Sequence, residues 1–344
     1  MDIISLDYSN LRFKVVDRIK RYLALSDNNR ITVGLYCKGD FYIFGNLQEE
    51  SNLRYDIGSV SKTVTAHLIL KLYGEGKLDI NNTPDVYLPL KKGKYPTLYQ
   101  LLTHTAGYHH LTPLELTLPK LIAYGYARKN PYEDCTVKTV IKSLERRRFF
   151  KPAVKYGYSD FAYAILAAVA EAVAKKPFSE LFEEFIQKDL ELKNTTVIEN
   201  ADERTPLAAK GKKILPFWVW KKDNPYIAGG GTVSNIADIL RYISLQIESD
   251  KPYIVSAHTV CEESEIKNSN HLMCIGWHTY KHSNQLWHVG GVGTFRSSLI
   301  LNKKLKLGVA VLGNAKGKAS ANSHYIAKML YSELKNNKIK LKDK

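Results

Sequence analysis

Patterns typical of β-strands stand at the two ends of this chain of 344 residues, and helical patterns fill its middle. Residues 31–37 and 41–46 read as two strands, and the KGD segment between them indicates a hairpin turn. Strand patterns resume near the carboxyl end, at 272–280, 285–289, 295–302 and 306–312. We therefore predict one antiparallel sheet that is assembled from both ends of the chain.

The middle of the chain carries apolar residues at helical spacing, in segments separated by loops rich in Pro, Gly and Asn. The predicted helices are 60–73, 97–103, 135–148, 160–174, 178–190 and 234–248, with amphipathic helices at 10–26 and about 320–334 beside the strands. These patterns predict an α+β fold in which helices flank the sheet. Residues 1–62 with 265–344 would form an α/β lobe, and residues 63–264 an inserted, mostly helical lobe of the same unit.

The chain is basic, with 50 Lys and Arg against 34 Asp and Glu and a net charge of +16. Its lysines are scattered, and the densest basic groups are the RRR segment at 146–148 and the tail 338–344. No helix-turn-helix, zinc-finger or RNP pattern accompanies them, so we predict a basic surface and no nucleic-acid partner.

Several patterns that are absent from the sequence limit the partners and the cellular compartment that we expect. It contains no run of 18 apolar residues and no secretory pattern at its start, so we predict no membrane span and a cytoplasmic protein. The four cysteines are far apart and show no metal or redox spacing, which predicts reduced thiols. We expect no cofactor, no metal and no obligate protein partner; a small molecule or short peptide would be the substrate.

A serine and a lysine stand three residues apart where the helix 60–73 begins. Residues i and i+3 share a helix face, so Ser59 Oγ and the Lys62 amine can come within hydrogen-bonding distance. A buried, deprotonated amine can accept the hydroxyl proton, and a helix N-terminus favours negative charge. This is the chemistry of an acyl-transfer site, although the same spacing also occurs as a capping serine and a solvated lysine.

Two further clusters carry groups suited to the same chemistry. Tyr158 and Asp160 precede the apolar helix 160–174, where a phenol and a carboxyl can point into a cleft. His288 ends a predicted strand and is followed by Gly290 and Gly291, which let a substrate approach backbone N–H groups.

The chain resembles the serine β-lactamase and penicillin-binding-protein-like family, in particular its class C β-lactamase, D-aminopeptidase and family VIII carboxylesterase branch. The resemblance covers nearly the whole chain in segments whose order and spacing fit that family. They are IGSVSKTVTAHLILKLYGEGKLDI from 57, LLTHTAGY from 101, YGYSDFAYAILAAVAEAV from 156, KPFSELFEEFI from 176, IAGGGTVSNIADILRY from 227, HVGGVGTF from 288 and GVAVLGN from 308. The resemblance implies a β-lactamase/transpeptidase-like fold and a serine hydrolase.

The resemblance also implies roles for particular residues. Ser59 would be the nucleophile, Lys62 would accept its proton, and Tyr158 would pass a proton to the leaving group. His288 would fill the basic position of the third motif, with Gly290 beside it. The backbone N–H groups of Ser59 and Gly291 would form the oxyanion hole.

Asp160 departs from the family pattern, which usually has Asn at this position. An ionised carboxylate beside Lys62 would raise the pKa of the lysine and weaken it as a base. Either Asp160 is protonated, or it faces a cationic group of the substrate, or activity is low. We predict that Asp160→Asn keeps or increases turnover.

A second departure is Val289, where many family members present a hydroxyl to a substrate carboxylate. Without that hydroxyl, penicillins and D-Ala-D-Ala ends should bind poorly unless Arg296 supplies the charge. This favours an esterase or a D-amino-acid peptidase or amidase over a true β-lactamase.

Weaker readings remain beside these. His104, His109 and His110 suggest metal binding, but a structural turn explains them better; the glycines at 229–231 read as a cleft wall. Besides the serine hydrolase, two function classes stay open: a weak or inactive family member that binds a peptide or acyl ligand, and a basic interaction protein.

Overall fold

A mixed sheet of nine strands organises the molecule in the computed structural model, which describes residues 2–108, 130–149, 156–197, 209–210, 213–214, 217–266, 269–315 and 322–341. The strands in chain order are β1 (Ile3–Leu6), β2 (Ile31–Cys37), β3 (Asp40–Phe44), β4 (Tyr55–Asp56), β5 (Thr196–Val197), β6 (Ala209–Lys210), β7 (Lys213–Ile214), β8 (Thr232–Ser234), β9 (Val260–Cys261), β10 (His271–Cys274), β11 (His278–Tyr280), β12 (Gln285–Val292), β13 (Phe295–Asn302) and β14 (Leu307–Gly313).

Both ends of the chain contribute to the large sheet, whose strand order is β1-β3-β2-β14-β13-β12-β11-β10-β9. Its centre is where the two groups meet, because β14 pairs with β2 over seven residues from Leu307 opposite Cys37 to Gly313 opposite Ile31. Two smaller sheets are described as well: β4-β8-β5 beside the site, and the pair β6-β7.

The structure differs from the predicted sheet at both of its edges. The sheet is not purely antiparallel, because β1 pairs with β3 in parallel. The predicted strand 272–280 is two antiparallel strands, β10 and β11, that face each other across a tight turn. Gly276 makes that turn possible with a φ of +79°, and a Cβ there would lie 2.7 Å from Ala66 Cβ.

The helices are α1 (Phe13–Leu23), α2 (Leu47–Asn52), α3 (Ser61–Gly74), α4 (Leu98–Leu102), α5 (Val137–Arg146), α6 (Asp160–Ala174), α7 (Phe178–Glu184), α8 (Ile227–Gly230), α9 (Ile236–Glu248), α10 (Pro252–Ala257) and α11 (Ser323–Lys335). The predicted helix 178–190 changes to a π-helix over Phe185–Asp189. α2 and α10 were not predicted, since each is only six residues long and too short to show a helical period.

Helices cover both faces of the large sheet. On one face α1 and α11 enclose a cluster that includes Val15, Ile19 and Leu330. On the other face α9 packs on β14 and β2, and a second cluster continues from the sheet into α3 and α6. The burial of each such side chain stabilises the fold by about 1.5–3 kcal/mol. The boundaries predicted for the two lobes stay a prediction.

The first turn of α3 lies where the helical part meets the large sheet. α3 and α6 are buried on nearly all sides, which explains why both sequences are apolar with little amphipathic period. In the part of the chain that the structure describes, no helix combines the length and apolarity that a membrane crossing needs.

Candidate active site

Ser59 lies in a single 3₁₀ turn, Gly58–Val60, between β4 and α3. Gly58 begins the turn with a φ of +55°, and a Cβ on it would come 2.5 Å from the Gly291 nitrogen of β12. The turn therefore packs against the β12 backbone, a contact that only glycine permits here. Ser59 stays partly exposed while Val60 and Lys62 are buried. The serine hydroxyl therefore lies at the surface of a cleft, on a turn that packs against β12.

The Lys62 amine is fully buried and binds three oxygen atoms. Its Nζ lies 3.1 Å from Ser59 Oγ, 2.5 Å from Asp160 Oδ1 and 2.7 Å from the Gly229 carbonyl oxygen. The amine also lies over the rings of Tyr158 and Tyr163, 5.0 and 5.6 Å from their centroids. These contacts hold Nζ directly beside the candidate nucleophile.

Two opposing effects act on the pKa of Lys62. Burial disfavours the ammonium form and is the larger effect, while the charge of Asp160 and its hydrogen bond favour that form. The net result is a pKa below that of an ordinary lysine. The ion pair with Asp160 therefore reduces the lowering of the Lys62 pKa but does not cancel it. A lowered pKa is what a lysine needs to act as a proton acceptor.

Asp160 is the first residue of α6, and its carboxylate is shared between two partners. Ser159 caps the helix by accepting a hydrogen bond from the Ala162 N–H, which fixes the position of Asp160. Oδ1 pairs with Lys62, and Oδ2 accepts a hydrogen bond of 3.1 Å from the Tyr132 hydroxyl. Tyr132 was not predicted as a site residue.

Tyr158 is a second group in contact with Ser59. Its hydroxyl forms a hydrogen bond with the Ser59 side chain, while burial and then the charge of Asp160 hold its pKa well above the ordinary value. Tyr158 is therefore a neutral phenol that can donate to or receive from Ser59. His104 stacks against it, with ring centroids 4.4 Å apart, and accepts a hydrogen bond of 3.2 Å from the Ser159 N–H.

This contact gives His104 a structural role at the start of α6. The other two histidines considered for a metal, His109 and His110, lie outside the described residues. Within the described ranges, no group of three or more His, Cys, Asp or Glu side chains is placed to hold a metal ion.

His288 is buried on β12 beside Tyr158, with ring centroids 6.4 Å apart. Its Nδ1 lies 2.8 Å from the Val289 carbonyl oxygen, to which it donates, so Nε2 is the ring nitrogen with the free lone pair. Nε2 is buried and has no hydrogen-bond partner among the described residues. Burial, and then the charge of Lys62, lower the pKa of His288 to about 3. The position that the resemblance assigns to a basic group thus holds a neutral imidazole.

The glycines after His288 bring β12 against the Ser59 turn. A Cβ on Gly290 would lie 1.8 Å from the Ile57 carbonyl oxygen, which also accepts a hydrogen bond from Ser297. Gly291 is exposed and belongs to the cleft wall together with Ser59. This places the two backbone segments that carry the candidate oxyanion-hole N–H groups side by side.

Arg296 is turned toward its own hairpin. Its Nη1 donates to the carbonyl oxygens of Gly293 and Phe295, at 3.1 and 2.5 Å. It does not belong to the described lining of the cavity next to Ser59. The guanidinium also lies beside Gly291 of the cleft wall, where a Cβ would come 3.1 Å from Nη1. The role expected for Arg296 toward a substrate carboxylate stays a prediction.

A cavity of about 110 Å³ opens beside Ser59. Its described lining is Ser59, Pro131, Tyr132, Asp160, Trp218, Trp220, Tyr226, Gly229, Gly230, Gly291 and Val292. Of the glycines 229–231 predicted as a cleft wall, Gly229 and Gly230 are part of it, and they lie in the short helix α8 and not in a loop. A Cβ on Gly229 would lie 3.3 Å from Lys62 Nζ. The aromatic residues of this wall were missed, although the FWVW segment at 217–220 is a conspicuous aromatic cluster.

Comparison with known proteins gives both sequence and structural relatives. Protein flp of Staphylococcus aureus (strain MW2) is 24% identical over 298 residues, which cover 80% of this chain and 55% of flp. D-alanyl-D-alanine-carboxypeptidase/endopeptidase AmpH of Escherichia coli (strain K12) is 25% identical over 223 residues, which cover 61% of this chain and 54% of AmpH. The chain therefore spans about half the length of these relatives.

The octameric penicillin-binding protein homologue from Pyrococcus abyssi superposes with a TM-score of 0.75 at 23% identity, covering 94% of this chain and 77% of that one. This similarity confirms the predicted β-lactamase/transpeptidase-like fold. The sequence model of the Beta-lactamase family matches residues 22–332. The match covers most of the chain and confirms the predicted resemblance: the protein belongs to the Beta-lactamase family.

Proposed function

We propose that the protein is a serine hydrolase that forms an acyl-enzyme on Ser59. The observation that carries the proposal is the double contact of the Ser59 hydroxyl with the Lys62 amine, at 3.1 Å, and with the Tyr158 phenol. A nucleophile in contact with a buried base, at the wall of an open cavity, is the arrangement that covalent catalysis by serine requires.

The reaction follows from these contacts. Ser59 Oγ attacks the carbonyl carbon of an ester or amide while its proton moves to neutral Lys62. The oxyanion receives hydrogen bonds from the N–H groups of Ser59 and Gly291, each worth ~10²–10³ in rate in comparable sites. When the bond to the leaving group breaks, Tyr158 passes a proton to the departing oxygen or nitrogen. Water then attacks the acyl-enzyme and gives one proton to the Tyr158 phenolate, while Lys62 returns its proton to Ser59 Oγ as the acyl group leaves.

The cavity favours some acyl groups over others. AmpH is named for cleavage next to a D-alanine that ends in a carboxylate. Here the described lining of the cavity includes no cationic side chain: Arg296 donates to carbonyl oxygens of its own hairpin, and the Lys62 amine pairs with Asp160. An ester or an amide without a neighbouring carboxylate is therefore the better substrate. A cytoplasmic location stays a prediction.

One observation supports a second candidate, a family member that binds a ligand with little or no turnover. The 2.5 Å contact between Lys62 Nζ and Asp160 Oδ1 stabilises the ammonium form of the base. A lysine held in that form cannot accept the Ser59 proton. The two candidates differ in whether a covalent intermediate forms.

Intact-mass spectrometry after incubation with a 4-nitrophenyl acyl ester, and separately with a penicillin, tests the proposal. We expect the ester to add the mass of its acyl group to the wild type, with a burst of nitrophenol, and the penicillin to react weakly. Ser59→Ala should abolish the adduct. Ser61→Ala is the matched control, because the buried Ser61 hydroxyl donates to the Gly58 carbonyl oxygen and faces away from the cavity. A folded protein that forms no adduct with either reagent would favour the binding candidate.

A further inference from the structure

The cavity beside Ser59 combines aromatic rings with a single carboxylate. Tyr132 and Tyr226 stack face to face with centroids 4.2 Å apart, and Trp218 and Trp220 continue the wall. Asp160 contributes the carboxylate, and the described lining includes no lysine, arginine or histidine. In the free site this carboxylate pairs with Lys62, so a substrate cation would share Asp160 with the Lys62 amine.

Aromatic faces carry negative potential and attract ammonium groups, most strongly when the cation is partly desolvated. The carboxylate at the inner end of the same wall adds a direct ionic partner. We propose that this cavity is a cation subsite, in which an ammonium group of the substrate pairs with Asp160 and thereby releases Lys62 to act as the base. This inference rests on the acyl-enzyme function proposed above.

The release of Lys62 follows from the sharing of one carboxylate. In the free site, Asp160 Oδ1 lies 2.5 Å from Lys62 Nζ and favours the ammonium form. A second cation at the same carboxylate repels the lysine ammonium, and like charges at such distances disfavour protonation. The proton of Lys62 then leaves to solvent, and the neutral amine can take the Ser59 proton as the Oγ–C bond forms. The leaving group takes its proton through Tyr158.

Among the residues that the structure describes, no group near Lys62 other than Asp160 could pass the effect of a bound cation on to the lysine. α6 contributes Asp160 and the phenol of Tyr163, and the segment before it contributes the phenol of Tyr158. β12 contributes His288, whose pKa is about 3, and α8 contributes only the Gly229 carbonyl. The phenol of Tyr132 faces the other oxygen of Asp160. Asp160 is therefore the group through which a bound cation acts on Lys62.

A matched pair of substrates isolates the effect. Glycine 4-nitroanilide and propionyl 4-nitroanilide differ mainly in an ammonium against a methyl group next to the scissile carbonyl. We expect wild-type kcat/KM to be about 10- to 100-fold higher for the glycine compound, the factor that a charged hydrogen bond typically gives. The acid limb of kcat, which reports the enzyme–substrate complex, should also lie at lower pH for the glycine compound, since the bound ammonium disfavours protonation of Lys62.

Three variants distinguish recognition of the ammonium charge from a general loss of activity. Asp160→Asn should reduce the preference for glycine to near the intrinsic ratio of the two anilides and bring their acid limbs together. Trp220→Leu should reduce the preference by a smaller factor, because it removes one aromatic face and leaves the carboxylate. Asp189→Asn removes a carboxylate that pairs with Lys71 outside the cavity and should leave the preference unchanged. Thermal unfolding of each variant establishes that it is folded.

The results distinguish this inference from the proposed function. Acyl-enzyme formation from both anilides with no preference, or a preference that survives Asp160→Asn, overturns the cation subsite and leaves the hydrolase intact. If Asp160→Asn does not fold, an unchanged preference in Trp220→Leu overturns it instead. No acyl-enzyme from either anilide or from the ester overturns the hydrolase and the subsite together.

Discussion

The chemistry at the scale of single residues depends on how tightly Lys62 holds its proton. Burial lowers its pKa, and Asp160 at 2.5 Å opposes that effect. Asn at position 160, the residue usual in this family, would accept a hydrogen bond from Lys62 without adding charge. The carboxylate therefore opposes the effect of burial on the protonation of Lys62 in the free enzyme.

We predict that Asp160→Asn keeps or increases turnover of an uncharged ester. The substitution removes the charge that favours the ammonium form, so the pKa of Lys62 falls further and more of the amine is neutral at pH 7. The acid limb of the pH profile should move to lower pH. A stopped-flow measurement of nitrophenol release across pH 5–9 checks both effects. A collapse of turnover with an uncharged ester, in a folded variant, would show that the carboxylate has another role in catalysis.

The polar residues of the site were accessible from the sequence, and the aromatic part of its wall was not. Ser59 and Lys62 are three positions apart, and Tyr158 precedes a helix start, so local spacing identifies them. Tyr132, Trp218 and Tyr226 reach the cavity through loops that converge only after folding. Sequence composition marks them as aromatic but does not tell which of many aromatic residues turn toward Ser59.

At the scale of the elements, the site depends on the contact between β12 and the turn that carries Ser59. Gly58 and Gly290 allow the two backbones to approach, and Ser297 on β13 donates to the Ile57 carbonyl oxygen across the same contact. The N–H groups of the candidate oxyanion hole belong to these two segments. The positions of these N–H groups therefore depend on how the two backbone segments pack, and the hydrogen bond from Ser297 stabilises that packing.

We predict that Gly290→Ala lowers the rate of acylation by at least about 10²-fold. Its Cβ would lie 1.8 Å from the Ile57 carbonyl oxygen, so β12 must move and carry Gly291 away from the Ser59 turn. Gly74→Ala is the matched control, because a Cβ at the end of α3 meets no atom within 4 Å. Burst kinetics with the ester compare the two variants. Equal burst rates in Gly290→Ala and wild type would contradict the assigned oxyanion hole.

Elements were predicted correctly where an apolar run is long and clearly bounded, and the prediction failed where the chain changes direction within such a run. Helix 160–174 was predicted with the bounds that the structure shows, because its capping residue and length are clear. Residues 272–280 contain apolar residues throughout, so burial was evident but the reversal at Gly276 was not. The parallel pairing of β1 depends on a partner 38 residues away, for which the four residues Ile3–Leu6 give no local signal.

At the scale of the whole molecule, a set of buried histidines makes the fold sensitive to acid. Burial is the largest cause of a lowered pKa at each of them, to about 3 at His67 and His288, about 4 at His258 and His324, and well below the ordinary value at His278. The unfolded chain binds these protons near pH 6.5, whereas in the folded chain the pKa of every one of these histidines lies below that value. Stability therefore falls as the pH drops below 6.5.

We predict that the free energy of unfolding decreases between pH 7 and pH 5, by up to ~1.4 kcal/mol per pH unit for each such histidine once the unfolded chain is protonated. Urea unfolding at the two pH values checks the decrease. His324→Gln should reduce the slope by at most one histidine's share. Equal stability at both pH values would contradict the burial of these groups as neutral imidazoles.

The proposed function requires that Ser59, and no other serine, carries the acyl group. Trypsin cleavage after Arg54 and Lys62 releases the peptide 55–62, which contains both Ser59 and Ser61. After the protein is trapped with an acyl ester or a fluorophosphonate, tandem mass spectrometry of this peptide assigns the modified atom directly. The structure predicts a single adduct on Ser59, because its hydroxyl is exposed beside Lys62 while that of Ser61 is buried against the Gly58 carbonyl oxygen. An unmodified peptide, or an adduct on Ser61, would contradict the account.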